Sequence, residues 1–179
     1  MSLPNNNYSE SAMVEKPAIE LFKNLGWEFV DCYGEFDSGK SFLDRETKSD
    51  VVLISRLKPA IKKLNPNVSD DFINEAINII IADRNLMGMA YANKEVYQLI
   101  KDGVVVECLN NKNESVSERL KIIDWDNPEN NDFLLASQFW VSGDIYTRRA
   151  DLVGFVNGIP LLFIELKAFS KNIKEAYDK

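Results

Sequence analysis

The sequence contains no histidine, and this absence excludes several kinds of catalytic site. Ser-His-Asp and Cys-His mechanisms need an imidazole as the general base, and a His-containing zinc finger needs it as a ligand. The two cysteines, Cys32 and Cys108, are too few to build a structural zinc site by themselves. Acid–base chemistry must therefore come from Asp, Glu, Lys and Tyr. The natural metals for carboxylate ligands are Mg²⁺ and Mn²⁺.

Long hydrophobic runs and phosphate-binding loops are also missing. The longest apolar run near the C-terminal end, residues 159–164, is far shorter than the ~20 residues of a membrane-spanning helix. The N-terminal sequence MSLPNNNYSE lacks the basic and apolar regions of a signal peptide. No G-x-x-x-x-G-K-S/T motif occurs, so this chain is not itself a P-loop ATPase. We therefore expect a cytoplasmic chain with no membrane contact, in which Cys32 and Cys108 are free buried thiols.

The chain has fewer basic residues than acidic ones, 21 against 28, and its net charge is −7. An isolated DNA-binding module usually has a basic surface, since phosphate contacts supply most of its affinity. The charge alone favours a chain that does not bind nucleic acid. The alternative is that another part of a larger protein holds the nucleic acid.

The order of predicted elements is helices first, then strands, then a helix. This order indicates an α+β fold, with a mixed β-sheet flanked by helices. Pro17 suits the first turn of the first helix and Gly26 its end, while the polar residues 34–50 predict a loop. Further helices are predicted at 51–64, at 94–101 and at 172–179, and another begins after Ser69. Ser69 and Asn93 are the predicted N-caps of the helices that follow them. The predicted strands are 27–30, 104–108, 121–125, 133–141, 151–156 and 159–167.

Two acids and a lysine in the last predicted hairpin carry the chemistry. Glu165 and Lys167 interrupt a continuous apolar run, which is typical of a strand buried on both faces. Side chains two residues apart share one face of a strand. The preceding strand begins with Asp151, and Asn157-Gly158 is a strong hairpin signal that returns the chain toward Asp151. Because a buried carboxylate needs a partner or a metal, the pattern predicts a divalent-metal site.

Such a site is suited to hydrolysing a phosphodiester bond by in-line attack. Asp151 and Glu165 would hold Mg²⁺, which neutralises the scissile phosphate and lowers the pKa of a bound water. Lys167 would position that water or stabilise charge that develops on a phosphate oxygen. The alternative interpretation is an ordinary Glu–Lys pair at the end of a strand, because the spacing D-x13-E-x-K alone is not specific.

The register of the hairpin tests this prediction. A plain two-residue turn at Asn157-Gly158 would place Asp151 opposite Ile164, and Glu165 would then face the other side of the sheet. We therefore predict a three-residue loop at 157–159, a bulge near Pro160, or divergence of the two strands. A regular register with the two acids on opposite faces would remove the site.

The arrangement of Asp151 followed by the E-x-K of residues 165–167 resembles the PD-(D/E)XK nuclease superfamily. RRAD at residues 148–151, followed by FVNGIPLLFIELK at 155–167, more closely resembles the N-terminal domain of the restriction (R) subunit of type I restriction enzymes. Three further stretches agree with that domain, so the resemblance covers nearly the whole chain. They are ESAMVEKPAIELFKNLGWEFV, NKEVYQLIKDGVVVE and IIDWDNPENNDFLLASQF.

The resemblance implies the nuclease core, a mixed sheet flanked by helices, and a role for each site residue. Asp151 would match the metal-binding aspartate, Glu165 the second acid and Lys167 the catalytic lysine, with Mg²⁺ as cofactor and Mn²⁺ as a substitute. Glu15 would match an acidic residue near the metal, although a capping or solvent-exposed role fits it as well. Ala150 replaces the proline of the family pattern, which contributes no ligand.

The resemblance also implies that residues 1–179 form a single endonuclease domain at the N-terminus of a much longer chain. That chain would carry helicase-like translocase domains, and ATP would act only through them. The partners would be double-stranded DNA and the methyltransferase and specificity subunits of a type I complex, and unmodified foreign DNA would be the substrate. A Gln-x-x-x-Tyr motif of related nucleases would lie beyond residue 179, so the isolated chain would be a poor nuclease.

Other polar residues and other functions remain open. Gln138 could approach DNA or the metal, or be structural. Arg148 and Arg149 could contact phosphate, or pair with acids such as Asp144. The chain could instead be a PD-(D/E)XK nuclease of repair or phage defence, or a non-cleaving docking module of the same fold.

Overall fold

The computed structural model describes residues 11–37, 39–109, 115–143 and 146–167. The chain divides into two compact units. The first comprises residues 1–51, 133–155 and 160–179, and the second comprises residues 52–132 and 156–159. None of the helices in the described ranges has the length and apolar character needed to cross a bilayer. The predicted helix at 172–179 lies outside the described residues.

The first unit is built on a four-stranded mixed sheet. Its described strands lie in the order β1 (Glu28–Asp31), β4 (Phe133–Ser142), β5 (Thr147–Val156) and β6 (Ile159–Ile164). Strand β1 runs parallel to β4, with Glu28 opposite Leu134 and Asp31 opposite Ser137. A π-helical turn, Ser11–Glu15, precedes helix α1 (Lys16–Asn24). Helix α1 contains Pro17 near its start, and Gly26 follows its end with a φ of +86°, as the sequence predicts.

A buried ion pair fixes the loop between β1 and the second unit. The side chains of Glu35 and Arg45 pair with each other and are 0% and 1% exposed. Arg45 also donates to the Trp140 carbonyl at 2.9 Å, and its guanidinium lies 3.9 Å from the centre of the Phe139 ring. The Ser41 hydroxyl donates to Glu35 at 2.6 Å. Both buried charges are therefore compensated, as burial requires, and the loop is tied to β4.

The second unit packs three helices and a two-stranded sheet around one apolar core. The elements are α2 Ile54–Leu64, α3 Asp70–Ile81, α4 Met89–Asp102, β2 Val104–Leu109, β3 Ser115–Leu120 and a 3₁₀ turn Pro128–Asn130. One face of α3 supplies Ile73, Ala76, Ile77 and Ile80, as its periodicity predicts. Strands β2 and β3 pair antiparallel, with Val104 opposite Leu120. These helices and sheets together confirm the α+β class.

Two predicted elements of the second unit are wrong. Helix α4 begins at Met89 after Gly88, so Asn93 lies inside the helix and does not cap it. No strand forms at the predicted residues 121–125. The strand in this part of the chain is β3, which ends at Leu120. The side chain of Asn65 explains this end. Its amide donates to the Lys121 carbonyl at 2.8 Å and its oxygen accepts from the Lys121 N–H at 2.9 Å, so both backbone groups of Lys121 are occupied outside the ladder.

The pKa values of Cys32 and Asp124 are shifted in opposite directions. Burial, together with the nearby carboxylate of Glu35, raises the pKa of the Cys32 thiol to about 12. Cys32 is a free buried thiol as predicted, whereas the side chain of Cys108 lies outside the described set. The Asn130 amide and the Lys121 ammonium donate to Asp124 and lower its pKa to about 2, against the opposing effect of burial. The ionised Asp124 therefore stabilises the fold above its ordinary pKa, and this contribution is lost as the pH falls toward 2.

Candidate active site

The turn between β5 and β6 contains two residues. Asn157 and Gly158 have φ angles of +52° and +79°, the left-handed pair that a type I′ turn requires. The predicted three-residue loop at 157–159 is therefore wrong. Asn157 is fully buried, where its amide donates to the Ile122 carbonyl at 2.8 Å and its oxygen accepts from the Asp132 N–H at 2.7 Å. These bonds hold the turn in its left-handed conformation.

The register of the hairpin shifts by one residue beyond this turn. In a regular two-residue hairpin Gly154 would pair with Leu161, and Leu162 would face the other side of the sheet. A β-carbon placed on Gly154 would instead lie 3.0 Å from the β-carbon of Leu162, so these two positions share a face. This short distance between the two β-carbon positions indicates one extra residue on β6 before Leu162, which agrees with the predicted bulge near Pro160.

This shift turns Asp151 and Glu165 toward the same side. The register in which Gly154 lies across from Leu162 places Asp151 across from Glu165, the first residue after β6, instead of across from Ile164. The N–H of Leu166 donates to Oδ2 of Asp151 at 2.7 Å. The carboxylate of Asp151 therefore contacts the peptide that directly follows Glu165.

Lys167 completes this group of three side chains. Its ammonium donates to Oε1 of Glu165 at 3.1 Å and to the carbonyl of Leu166 at 3.0 Å. The Lys167 and Glu165 side chains are 16% and 23% exposed, so water screens the pair only in part. The structure thus brings together the predicted Asp, Glu and Lys.

The surroundings of the site differ from the prediction in one respect. Strand β6 lies at the edge of the described sheet and ends at Ile164, so Glu165 and Lys167 follow the strand. Leu161, Leu162 and Phe163 are 43%, 37% and 68% exposed. The predicted burial on both faces is therefore wrong for the described part of the chain, because no described strand pairs with the outer edge of β6.

A mainly apolar groove of about 880 Å³ runs beside the site. Glu165 lies in its wall together with Arg148 and Arg149, so the groove presents one acidic and two basic groups. Its other lining residues are Val51, Phe139, Val141, Gly143, Tyr146, Ala150, Val153, Pro160, Leu161, Leu162 and Phe163. The groove therefore combines three charged groups with an otherwise mainly apolar wall.

Glu15 and Gln138 form a second hydrogen-bonded group. The amide of Gln138 donates to Oε1 of Glu15 at 2.7 Å. Gln138 has a φ of +54°, an unusual value for a residue within a strand. Among the residues that the structure describes, no cluster of three or more acidic or cysteine side chains is arranged to hold a metal. Glu15 thus does not form a three-acid group with Asp151 and Glu165, and its metal role stays a prediction.

Arg149 makes contacts that the sequence did not reveal. Its guanidinium lies 5.2 Å from the centre of the Tyr33 ring and 5.4 Å from that of Trp140. Trp140 is only half-buried. The partner suggested for the arginines, Asp144, lies outside the described ranges. No local pattern could have predicted these contacts, because they join residues distant in sequence.

The donors at the site fit a hard divalent cation. The carboxylates of Asp151 and Glu165 and the carbonyl of Leu166 are oxygen ligands of the kind that Mg²⁺ prefers. The Lys167 ammonium contacts both a Glu165 oxygen and the Leu166 carbonyl, so neighbouring oxygens already converge on a positive charge. Asp151 and Glu165 are the residues that would hold the metal.

The fold and the site define an α+β protein with an Asp, Glu-x-Lys group on its last hairpin. The family described as the type I restriction enzyme R protein N terminus matches residues 7–179. The chain belongs to this family.

Curated relatives agree with this membership. The type I restriction enzyme HindI endonuclease subunit of Haemophilus influenzae is 30% identical over 159 residues, which are 86% of this chain and 14% of that protein. Relatives from Methanocaldococcus jannaschii, named as the MjaIXP and MjaVIIIP endonuclease subunits, are 32% and 29% identical over 95% and 89% of this chain. The chain spans only 14–16% of the length of these relatives.

Proposed function

We propose that this chain is the Mg²⁺-dependent DNA endonuclease domain of a type I restriction enzyme R subunit, with the PD-(D/E)XK nuclease core. The observation that carries the proposal is the contact of Asp151, on β5, with the peptide between Glu165 and Lys167. A coincidental Glu–Lys pair would not require a second acid from the neighbouring strand. The Leu166 N–H bond to Asp151, at 2.7 Å, supplies that link.

Each residue then has a distinct role in phosphodiester hydrolysis. Asp151 and Glu165 hold the cation, and the Leu166 N–H keeps the Asp151 carboxylate in position. When bound, Mg²⁺ neutralises the scissile phosphate and lowers the pKa of a bound water. Lys167, fixed by Glu165 and the Leu166 carbonyl, positions the attacking water or stabilises charge on a phosphate oxygen.

The rest of a longer protein would bring DNA to this site. The relatives named as endonuclease subunits are six to seven times longer than their match to this chain, which covers 14–16% of them. We infer that other domains drive translocation along double-stranded DNA with ATP. Methyltransferase and specificity subunits would direct the complex to unmodified foreign DNA, making it a type I site-specific deoxyribonuclease. The net charge of −7 agrees with DNA being held mainly elsewhere.

A non-cleaving docking module is the second candidate. The observation that favours it is the exposed apolar edge formed by Leu161, Leu162 and Phe163, since apolar surface of this kind often marks a protein contact. Such a module would keep the fold without needing a metal.

Metal-dependent plasmid cleavage by the full-length complex separates the two candidates. We expect a supercoiled plasmid carrying the unmodified recognition site to be cut with ATP and either Mg²⁺ or Mn²⁺. A matched reaction uses the Asp151→Ala complex, which should hydrolyse ATP at the normal rate and leave the plasmid uncut, because one of the two carboxylates that would hold the cation is missing. Complexes that hydrolyse ATP at the normal rate, yet never cut with either metal, would favour the docking module.

A further inference from the structure

An alternating row of aromatic and cationic side chains crosses the surface of the first unit. Arg149 lies against Tyr33 and Trp140, at 5.2 Å and 5.4 Å from the ring centres. Lys48 lies 4.5 Å from the centre of the Trp140 ring and 5.9 Å from that of Phe36. We call Tyr33, Arg149, Trp140, Lys48 and Phe36 the cation–aromatic row. These contacts hold two flexible cations in fixed places.

Neither cation of this row forms an ion pair with an acid in the described ranges. Within the part of the chain that the structure describes, Lys48 and Arg149 have ring contacts and no acidic partner. The neighbouring Arg45 behaves differently, because its charge is balanced by the buried Glu35. The row therefore presents two cations on a chain whose net charge is −7.

The composition of the row fits a DNA strand with unpaired bases. Lysine and arginine bind phosphates, and exposed aromatic rings stack on bases that are not paired. Tyr33, at one end of the row, is 63% exposed. Arg149 lies on β5 two residues before Asp151, so alternation places both on one face of the sheet. A strand held by Arg149 would thus run toward the proposed metal-binding acids.

We propose that the cation–aromatic row docks an unpaired DNA strand beside the nuclease site. Lys48 and Arg149 contact its phosphates, and the ring of Tyr33 stacks on a base. This role rests on the proposed function, in which DNA is the substrate. It adds a preference for locally single-stranded DNA, a preference that binding to phosphates alone would not produce.

Fluorescence anisotropy of this chain with labelled oligonucleotides tests the proposal. Single-stranded and duplex DNA of equal length are compared in EDTA, so that binding is measured without cleavage. The double variant Lys48→Gln, Arg149→Gln should bind single strands about tenfold more weakly. The dependence of its log affinity on log salt concentration should become shallower by roughly 0.7 for each phosphate that no longer meets a cation. Tyr33→Leu should weaken single-strand binding by about fivefold or more and leave duplex binding unchanged.

The second unit offers a matched control. Lys101 lies 5.7 Å from the centre of the Tyr97 ring, and Tyr97 is 60% exposed, so Lys101→Gln with Tyr97→Leu removes an equivalent pair elsewhere. This control should bind as the unmodified chain does, and all variants should keep its thermal unfolding temperature.

Three results would overturn the docking role. They are unchanged affinity and salt dependence in the double variant, unchanged single-strand affinity in Tyr33→Leu, or an equal weakening of binding in the control. Binding in EDTA does not depend on cleavage. If binding depends on the row as expected but the full-length complex never cuts a plasmid, the nuclease assignment fails and the docking role stands.

Discussion

Replacing Lys167 with alanine is expected to slow plasmid cleavage by the full-length complex by about 100- to 1000-fold, the usual effect of losing one group that stabilises developing charge. The ammonium is held by Glu165 and the Leu166 carbonyl, so it is already placed at the proposed metal-binding acids. The measurement is the first-order rate of plasmid linearisation with ATP and Mg²⁺. ATP hydrolysis should be unaffected, because the proposed function assigns that activity to other domains.

Lys23 provides the control for Lys167. It also pairs with a nearby glutamate, Glu20, at 2.9 Å, but on the exposed surface of α1. Lys23→Ala removes a comparable ion pair and should leave the cleavage rate within about twofold, since exposed pairs contribute little. Undiminished cutting by Lys167→Ala would remove its catalytic assignment.

Replacing Glu35 with alanine is expected to lower the free energy of unfolding by about 3–5 kcal/mol, because it leaves the buried charge of Arg45 without its partner. The side chain of Arg45 is 1% exposed, so water cannot replace the carboxylate. Urea unfolding followed by tryptophan fluorescence measures the change. The double variant Glu35→Ala, Arg45→Met should recover part of the stability, since an apolar side chain of similar length needs no counter-charge.

Glu46 gives the comparison within the same loop. Its side chain is exposed, so Glu46→Ala should change the free energy of unfolding by no more than about 0.5 kcal/mol. A destabilisation in Glu35→Ala as small as that would show that the ion pair does not hold the loop.

Local patterns in the sequence predicted much of the fold. The spacing of Ile73, Ala76, Ile77 and Ile80 identified the buried face of α3, and Asn157-Gly158 identified the hairpin. Strand β3 was missed because its residues, SVSERL, are mostly exposed and lack an apolar alternation. Strand β6 looked internal because its apolar run is continuous, whereas it lies at the edge of the described sheet.

The candidate site was only partly predictable, for a similar reason. Asp151, Glu165 and Lys167 lie on one hairpin, so their proximity followed from turn chemistry and strand alternation. The bond between Gln138 and Glu15 and the contacts of Arg149 with Tyr33 and Trp140 depend on how distant segments pack. Nothing in the spacing of those residues specifies such packing.

Calorimetric titration with Mn²⁺ tests most directly whether the acids of the shifted hairpin bind a cation. The unmodified chain should bind Mn²⁺, and Asp151→Ala should abolish that binding because one of two carboxylate ligands is gone. Asp71→Ala, which removes an exposed acid at the start of α3, should bind as the unmodified chain does. Equal binding by all three proteins, or no binding by any of them, would contradict a metal site at Asp151 and Glu165.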